Sequence, residues 1–71
     1  MSHFEEVMFY SMINGELYYC FTTNGYYIGI FDHYSNHTCA KMKRVRYITN
    51  EIIERNELLI DSTYKIYKII P

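Results

Sequence analysis

Two Asn-Gly pairs, Asn14-Gly15 and Asn24-Gly25, constrain this chain more than any other feature of its sequence. Asn-Gly supplies the two positive-φ positions of a type I′ turn, whose twist suits a two-residue β-hairpin. Taking both pairs as hairpin loops predicts a three-stranded antiparallel meander over about 7–13, 16–23 and 26–31. In that register Tyr10 faces Tyr19 and Met8 faces Phe21 across the first turn, while Phe21 faces Ile28 and Tyr19 faces Ile30 across the second. Because side chains alternate along a strand, one face collects Met8, Tyr10, Met12, Leu17, Tyr19, Phe21, Ile28 and Ile30 without a polar interruption.

The opposite face holds Phe9, Ser11, Tyr18, Cys20, Thr22, Tyr27, Gly29 and Phe31. A sheet face that meets water should be polar, and this one is not. Either later elements cover it, or it stays open as an aromatic binding surface built on Phe9, Tyr18, Tyr27 and Phe31. Tyr and Phe suit such a surface because they bring large contact area at little side-chain entropy cost.

Beyond the meander, residues 32–38 form a polar loop without apolar periodicity. Residues 39–48 return to strand character, with charges on both alternating sides, as expected of an edge strand protected from unwanted pairing. Thr49 or Asn50 is placed to cap a short helix running to about residue 57, with Ile52 and Ile53 turned inward. Residues 58–70 then read as a final strand rich in Ile and Tyr. The expected fold is α+β, mostly β: a single domain over 1–71 in which the meander is extended to about five strands, with one short helix before the last strand. That order is similar to small SH3-like barrels at the level of topology and would give a small half-barrel.

At 71 residues the chain sits where burial and conformational entropy nearly cancel. Cys20 and Cys39 with no basic and apolar leader argue for a reducing, cytoplasmic setting and against a disulfide framework. No apolar run approaches the roughly 18 residues of a membrane span, so no membrane partner is expected. About half the chain is Phe, Tyr, Met, Ile, Asn and Lys, a bias that suits an AT-rich genome such as that of a phage or mobile element of low-GC bacteria. Charge is segregated: residues 1–40 carry Glu5, Glu6, Glu16 and Asp32 and no Lys or Arg, whereas all 7 Lys and Arg follow. Such a dipolar chain favours a charged partner or self-association.

Three constellations could carry chemistry. Lys41, Lys43, Arg44 and Arg46 beside Tyr47 could hold phosphates while the ring stacks on a base. They serve equally as a docking patch for an acidic protein or as a solvated edge. Asp32, His33, His37 and Cys39 offer metal-ligand types, but without the paired short spacings of zinc sites, so no metal or cofactor is expected. Cys39 with His33 or His37 could form a nucleophile and base, on a flexible loop with no evident oxyanion hole. Finally, Leu17-Tyr18 followed by Tyr27-Ile28-Gly29 resembles the paired hairpin strands of GIY-YIG nucleases, although Glu16-Leu17-Tyr18 departs from the first element. The resemblance implies a following helix with a catalytic Arg and a later metal-binding Glu, for which the sequence has no clear counterpart. The sequence therefore points to a small non-catalytic protein that binds a host protein, for example as a phage-type inhibitor. Nucleic-acid binding through 41–47 is the alternative and a small nuclease the third reading. A two-fold homodimer that buries the apolar second face and pairs an exposed edge in the segment from Tyr64 to Ile70 is also expected.

Overall fold

The second Asn-Gly pair does build a hairpin, but two residues out of the expected register. The computed structural model describes residues 3–46 and 51–70, with the backbone alone at 46 and over 51–56. Strands β2 (Leu17–Thr22) and β3 (Gly25–Tyr34) pair with Thr22 opposite Gly25, Tyr19 opposite Ile28 and Leu17 opposite Ile30. The loop is thus Thr23-Asn24 rather than Asn24-Gly25. The Thr22 hydroxyl accepts a hydrogen bond from the Asn24 amide at 3.0 Å, and Gly25 absorbs a φ of +148°. A shift of two preserves the alternation, so the residues expected to share a face on these two strands do share it.

The first Asn-Gly pair turns the chain without making a hairpin. Gly15 adopts φ +87° and the Glu16 amide donates to the Ile13 carbonyl at 3.1 Å, but the segment before it is not a strand. Instead β1 (His3–Val7) ends early, a short 3₁₀ turn follows over Phe9–Ser11, and residues 8–16 cross the end of the sheet as a strap. The expected pairings of Tyr10 with Tyr19 and Met8 with Phe21 are therefore corrected. That edge of β2 is occupied by β6 (Lys65–Ile70), with Tyr19 opposite Tyr67 and Cys20 opposite Ile66. The strap gains its own partners: Tyr34 donates its hydroxyl to the Phe9 carbonyl at 2.6 Å and accepts from the Met12 amide at 3.0 Å, and the Tyr18 hydroxyl accepts from the Ile13 amide at 2.8 Å.

Two further expectations are corrected by β4 (Cys39–Arg46) and β5 (Glu51–Asp61). The 39–48 segment is not an edge, because β4 lies between β3 and β5. The helix expected to end near residue 57 is instead the first half of β5, which pairs with β4 from Cys39 opposite Asp61 to Lys43 opposite Glu57. Pairing resumes past an irregularity with Val45 opposite Ile52. A helix of two turns is marginal alone, whereas β4 offers a ready ladder and the β-branched Ile pair suits a strand. Its proposed cap, Thr49 or Asn50, lies outside the described residues. The domain is accordingly all-β rather than α+β: one open six-stranded antiparallel sheet in the order β1-β6-β2-β3-β4-β5, with no α-helix among the described residues.

The sheet curls so that strands distant in its order share one core. Tyr18 and Cys20 from β2, Phe31 from β3, Ala40 and Met42 from β4, Leu58 and Ile60 from β5 and Ile66 from β6 form a single buried cluster, which Phe9 and Met12 of the strap cap. Gly29 permits this approach: a Cβ there would lie 3.1 Å from both the Lys43 carbonyl oxygen and Met42 Cβ. The covered face of the meander is thus the second one, and Phe9, Tyr18 and Phe31, candidates for an open aromatic surface, lie inside.

Candidate interaction surface

The opposite, outer face of the sheet carries the exposed aromatics. Strand register places Glu6, Tyr67, Tyr19 and Ile28 in one row across β1, β6, β2 and β3, and Lys65, Phe21 and Tyr26 in the next. On the other side of the central row lie Phe4 opposite Ile69, and Leu17, Ile30, Lys43 and Glu57 in sequence. The face is therefore apolar across its middle, with charge confined to its margins. Ile28 and Val45 are buried although they stand outside the core cluster.

Its aromatic rings contact one another closely. Phe4 meets Tyr19 edge-on at 5.0 Å, Phe21 meets Tyr67 edge-on at 5.3 Å, and Tyr26 stacks on Phe21 at 5.4 Å with an interplanar angle of 28°. These are the offset and T-shaped arrangements that ring quadrupoles favour. Phe4, Phe21 and Tyr67 line a shallow hollow of about 240 Å³. Phe4 remains 54% exposed, Tyr26 48% and Ile69 41%. Glu6 and Lys65 form an ion pair at 3.7 Å beside the hollow.

The sequence-derived candidates are dispersed by the fold. Tyr27 is exposed on the concave side, where the Arg44 guanidinium lies 5.8 Å from its ring centroid. Lys43 is exposed on the outer side of β4, and Lys41 is half-buried and paired with Glu57 at 3.7 Å. The basic residues therefore point to different faces instead of forming one patch. Arg46 is described only in its backbone and Tyr47 lies outside the described residues. Phe4, Tyr19, Phe21, Tyr26, Tyr67 and Ile69 were not singled out from sequence as surface residues. The available signal was that both faces of the meander are apolar, so that covering one leaves the other to water.

The polar loop is organised by Asn36, whose side-chain oxygen accepts from the Thr38 and Cys39 amides at 2.9 and 3.0 Å. His33 Nδ1 lies 2.9 Å from the Asp32 carboxylate, while the His37 carbonyl accepts from the Tyr10 hydroxyl at 2.6 Å. Among the described residues, no three His, Cys, Asp or Glu side chains converge to hold a metal ion. Cys20 is buried against Met42, Sγ to Sδ 3.6 Å, and burial pushes its thiol up to about 12. Tyr18 pairs with Gly29 in the hairpin that resembles the GIY-YIG elements, but its ring is buried and the next element is strand β4, not a helix. Comparison with protein-family models, curated proteins and solved structures returns no match to this chain.

Proposed function

We propose that this is a small, non-catalytic interaction domain whose outer sheet face docks on a protein surface. One observation carries the reading: exposed and half-buried aromatics around a shallow hollow form a continuous apolar surface with charge only at its rim. Contiguous exposed apolar patches mark interaction sites, and an aromatic centre with a polar rim is the usual anatomy of a protein interface. The last strand returning onto the first strand of a four-strand meander also supports a half-barrel of SH3-like order. That order provides a scaffold and by itself implies no activity. The composition makes a low-GC bacterial host protein a suitable partner, as in a phage-type inhibitor.

A photoreactive benzophenone side chain introduced at Tyr26 tests the reading. Irradiation should give a covalent protein adduct, either in purified protein or in a low-GC bacterial lysate, whereas the same group at Ile13 of the strap, which is more exposed than Tyr26, should not. No adduct from Tyr26 under either condition, or equal adducts from both positions, would count against a docking face.

A second reading, nucleic-acid binding, is favoured by one feature, the exposed Tyr27 ring of β3 beneath the exposed Arg44 of β4. Binding of single-stranded oligonucleotides should then weaken steeply with salt and fall in Arg44→Glu. Undetectable affinity at about 50 mM salt, where this electrostatic contribution is strong, would eliminate it.

A further inference from the structure

We infer that Asn24 is a site of spontaneous main-chain modification, in which the Gly25 nitrogen displaces the Asn24 side-chain amide, and that the fold protects the Asn14-Gly15 pair from the same reaction. A glycine after the asparagine favours this chemistry, because no side chain hinders the approach of its nitrogen. Both pairs meet that condition, and both are exposed. A Cβ built on either glycine would meet nothing within 4 Å, so crowding does not separate them. What separates them is how the two reacting groups are held.

At Asn14 both groups are tied to β3. The side-chain nitrogen donates to the Asp32 carbonyl at 2.8 Å, and the Gly15 amide donates to the Phe31 carbonyl at 3.0 Å. Phe31 lies in the core, and the strap that carries Asn14 is fastened by the Tyr18 and Tyr34 hydroxyls. Freeing the pair therefore means lifting the strap from the sheet. At Asn24 the holding is local. Among the described residues its side-chain amide has no hydrogen-bond partner, and its main-chain N–H donates to the Thr22 hydroxyl at 3.0 Å. Gly25 stands opposite Thr22 in the last rung of the β2–β3 ladder. Such a terminal rung opens at a small fraction of the free energy of global unfolding, and its opening releases the Gly25 nitrogen.

The reaction needs water and no other reagent. Hydroxide takes the Gly25 N–H proton, the nitrogen bonds to Asn24 Cγ, the Cγ–Nδ2 bond breaks, and Nδ2 gains a proton and leaves as ammonia. Water then opens the cyclic imide. Cleavage between Cγ and nitrogen gives aspartate, whereas cleavage between the main-chain carbonyl carbon and nitrogen gives isoaspartate. Either product adds a carboxylate to the part of the chain, residues 1–40, that has no Lys or Arg. Isoaspartate also lengthens the main chain by one carbon, two residues before the Tyr26 that stacks on Phe21.

Incubation of the folded full chain in mildly alkaline buffer tests this, with mass spectrometry reading a water gained against an ammonia lost. Trypsin leaves both asparagines in one peptide, because the first basic residue is Lys41, so chymotryptic peptides are used to separate them. In the folded chain Asn24 should convert at least about tenfold faster than Asn14, the effect of about 1.4 kcal/mol of additional barrier, as expected where two hydrogen bonds must first break. In denaturing urea the two rates should become alike. Asn24→Ser should hold the folded chain at its starting mass over the same period. Equal rates in the folded chain, a faster Asn14, or no conversion at Asn24 while both convert in urea would overturn the inference. A difference that persists undiminished in urea would overturn it too, since sequence neighbours and not the fold would then set the rates.

Discussion

Replacing Tyr34 by Phe isolates what fastens the strap to the sheet. The ring would keep its contacts with Phe9 and Phe31, at centroid distances of 5.6 and 4.8 Å, so almost no cavity is created. What disappears is one hydroxyl that donates to the Phe9 carbonyl and accepts from the Met12 amide. A net hydrogen bond contributes about 1 kcal/mol, and a main-chain group left without a partner in a buried place costs about 1–3 kcal/mol. Both groups are part-buried, so water recovers some of the loss, and the expected total is about 2 kcal/mol. For a domain of this size that corresponds to a melting temperature lower by roughly 8–16 °C. Urea unfolding of wild type and Tyr34→Phe should show a lower midpoint with an unchanged m-value. Tyr10→Phe provides the contrast, because its hydroxyl bonds the His37 carbonyl in an exposed setting and its loss should cost under about 0.5 kcal/mol. If Tyr34→Phe were equally mild, the strap would not depend on this hydroxyl and the reasoning would fail.

Gly29→Ala should destabilise by about 1–2 kcal/mol, since the new methyl would press on two rigid β4 atoms at 3.1 Å and only part of that is offset by a stiffer unfolded chain. Equal or greater stability in urea unfolding would show that β3 and β4 can part there. At pH 8 a disulfide reagent should modify one thiol per native chain rapidly, Cys39, because Cys20 is fully buried and its thiol is pushed up to about 12; both should react after unfolding, and two equally fast native thiols would contradict the burial. Hydrogen bonds from the Thr63 hydroxyl and amide hold the Asp61 carboxyl below its ordinary value of 3.8. Its contribution to stability is present above that value and is lost as pH falls through the lower folded value; Asp61→Asn should flatten that acid limb, and an unchanged pH profile would show the turn to be indifferent to this charge.

The alternation of the meander was legible in the sequence because a strand's side chains have a fixed period of two. The partition of Tyr19 and Ile28 from Cys20 and Tyr27 survives even a two-residue register shift. The strand character of 39–46 was legible for the same reason, as was the turn at Asn14-Gly15, where a local glycine conformation is sufficient; the single final strand expected over 58–70 is corrected, because a turn over 62–64, closed by the Tyr64 amide donating to the Asp61 carbonyl at 3.1 Å, divides it between the end of β5 and β6, and β6 is enclosed between β1 and β2 rather than offering a free edge. Which strand lies beside β2 was not legible. Asn14-Gly15 specifies a reversal, but Tyr67 and Ile66 compete from almost fifty residues away and win that edge, and no local pattern records such a contest. The same non-local pairing turned 51–57 from an expected helix into strand β5, since β4 supplied a ladder that a two-turn helix could not match. Tertiary structure also decided which apolar face became the core. Both faces were rich in aromatics, and only the curl that unites Ile60 with Ile66, capped by Phe9 and Met12, covered the Tyr18 and Cys20 side and left Phe4, Tyr26 and the hollow between their neighbours facing outward. Sequence alone determined that this chain would be a small, mostly β domain whose meander has two apolar faces. The fold determined which of them is covered, because burial is settled by contacts between residues far apart in the chain.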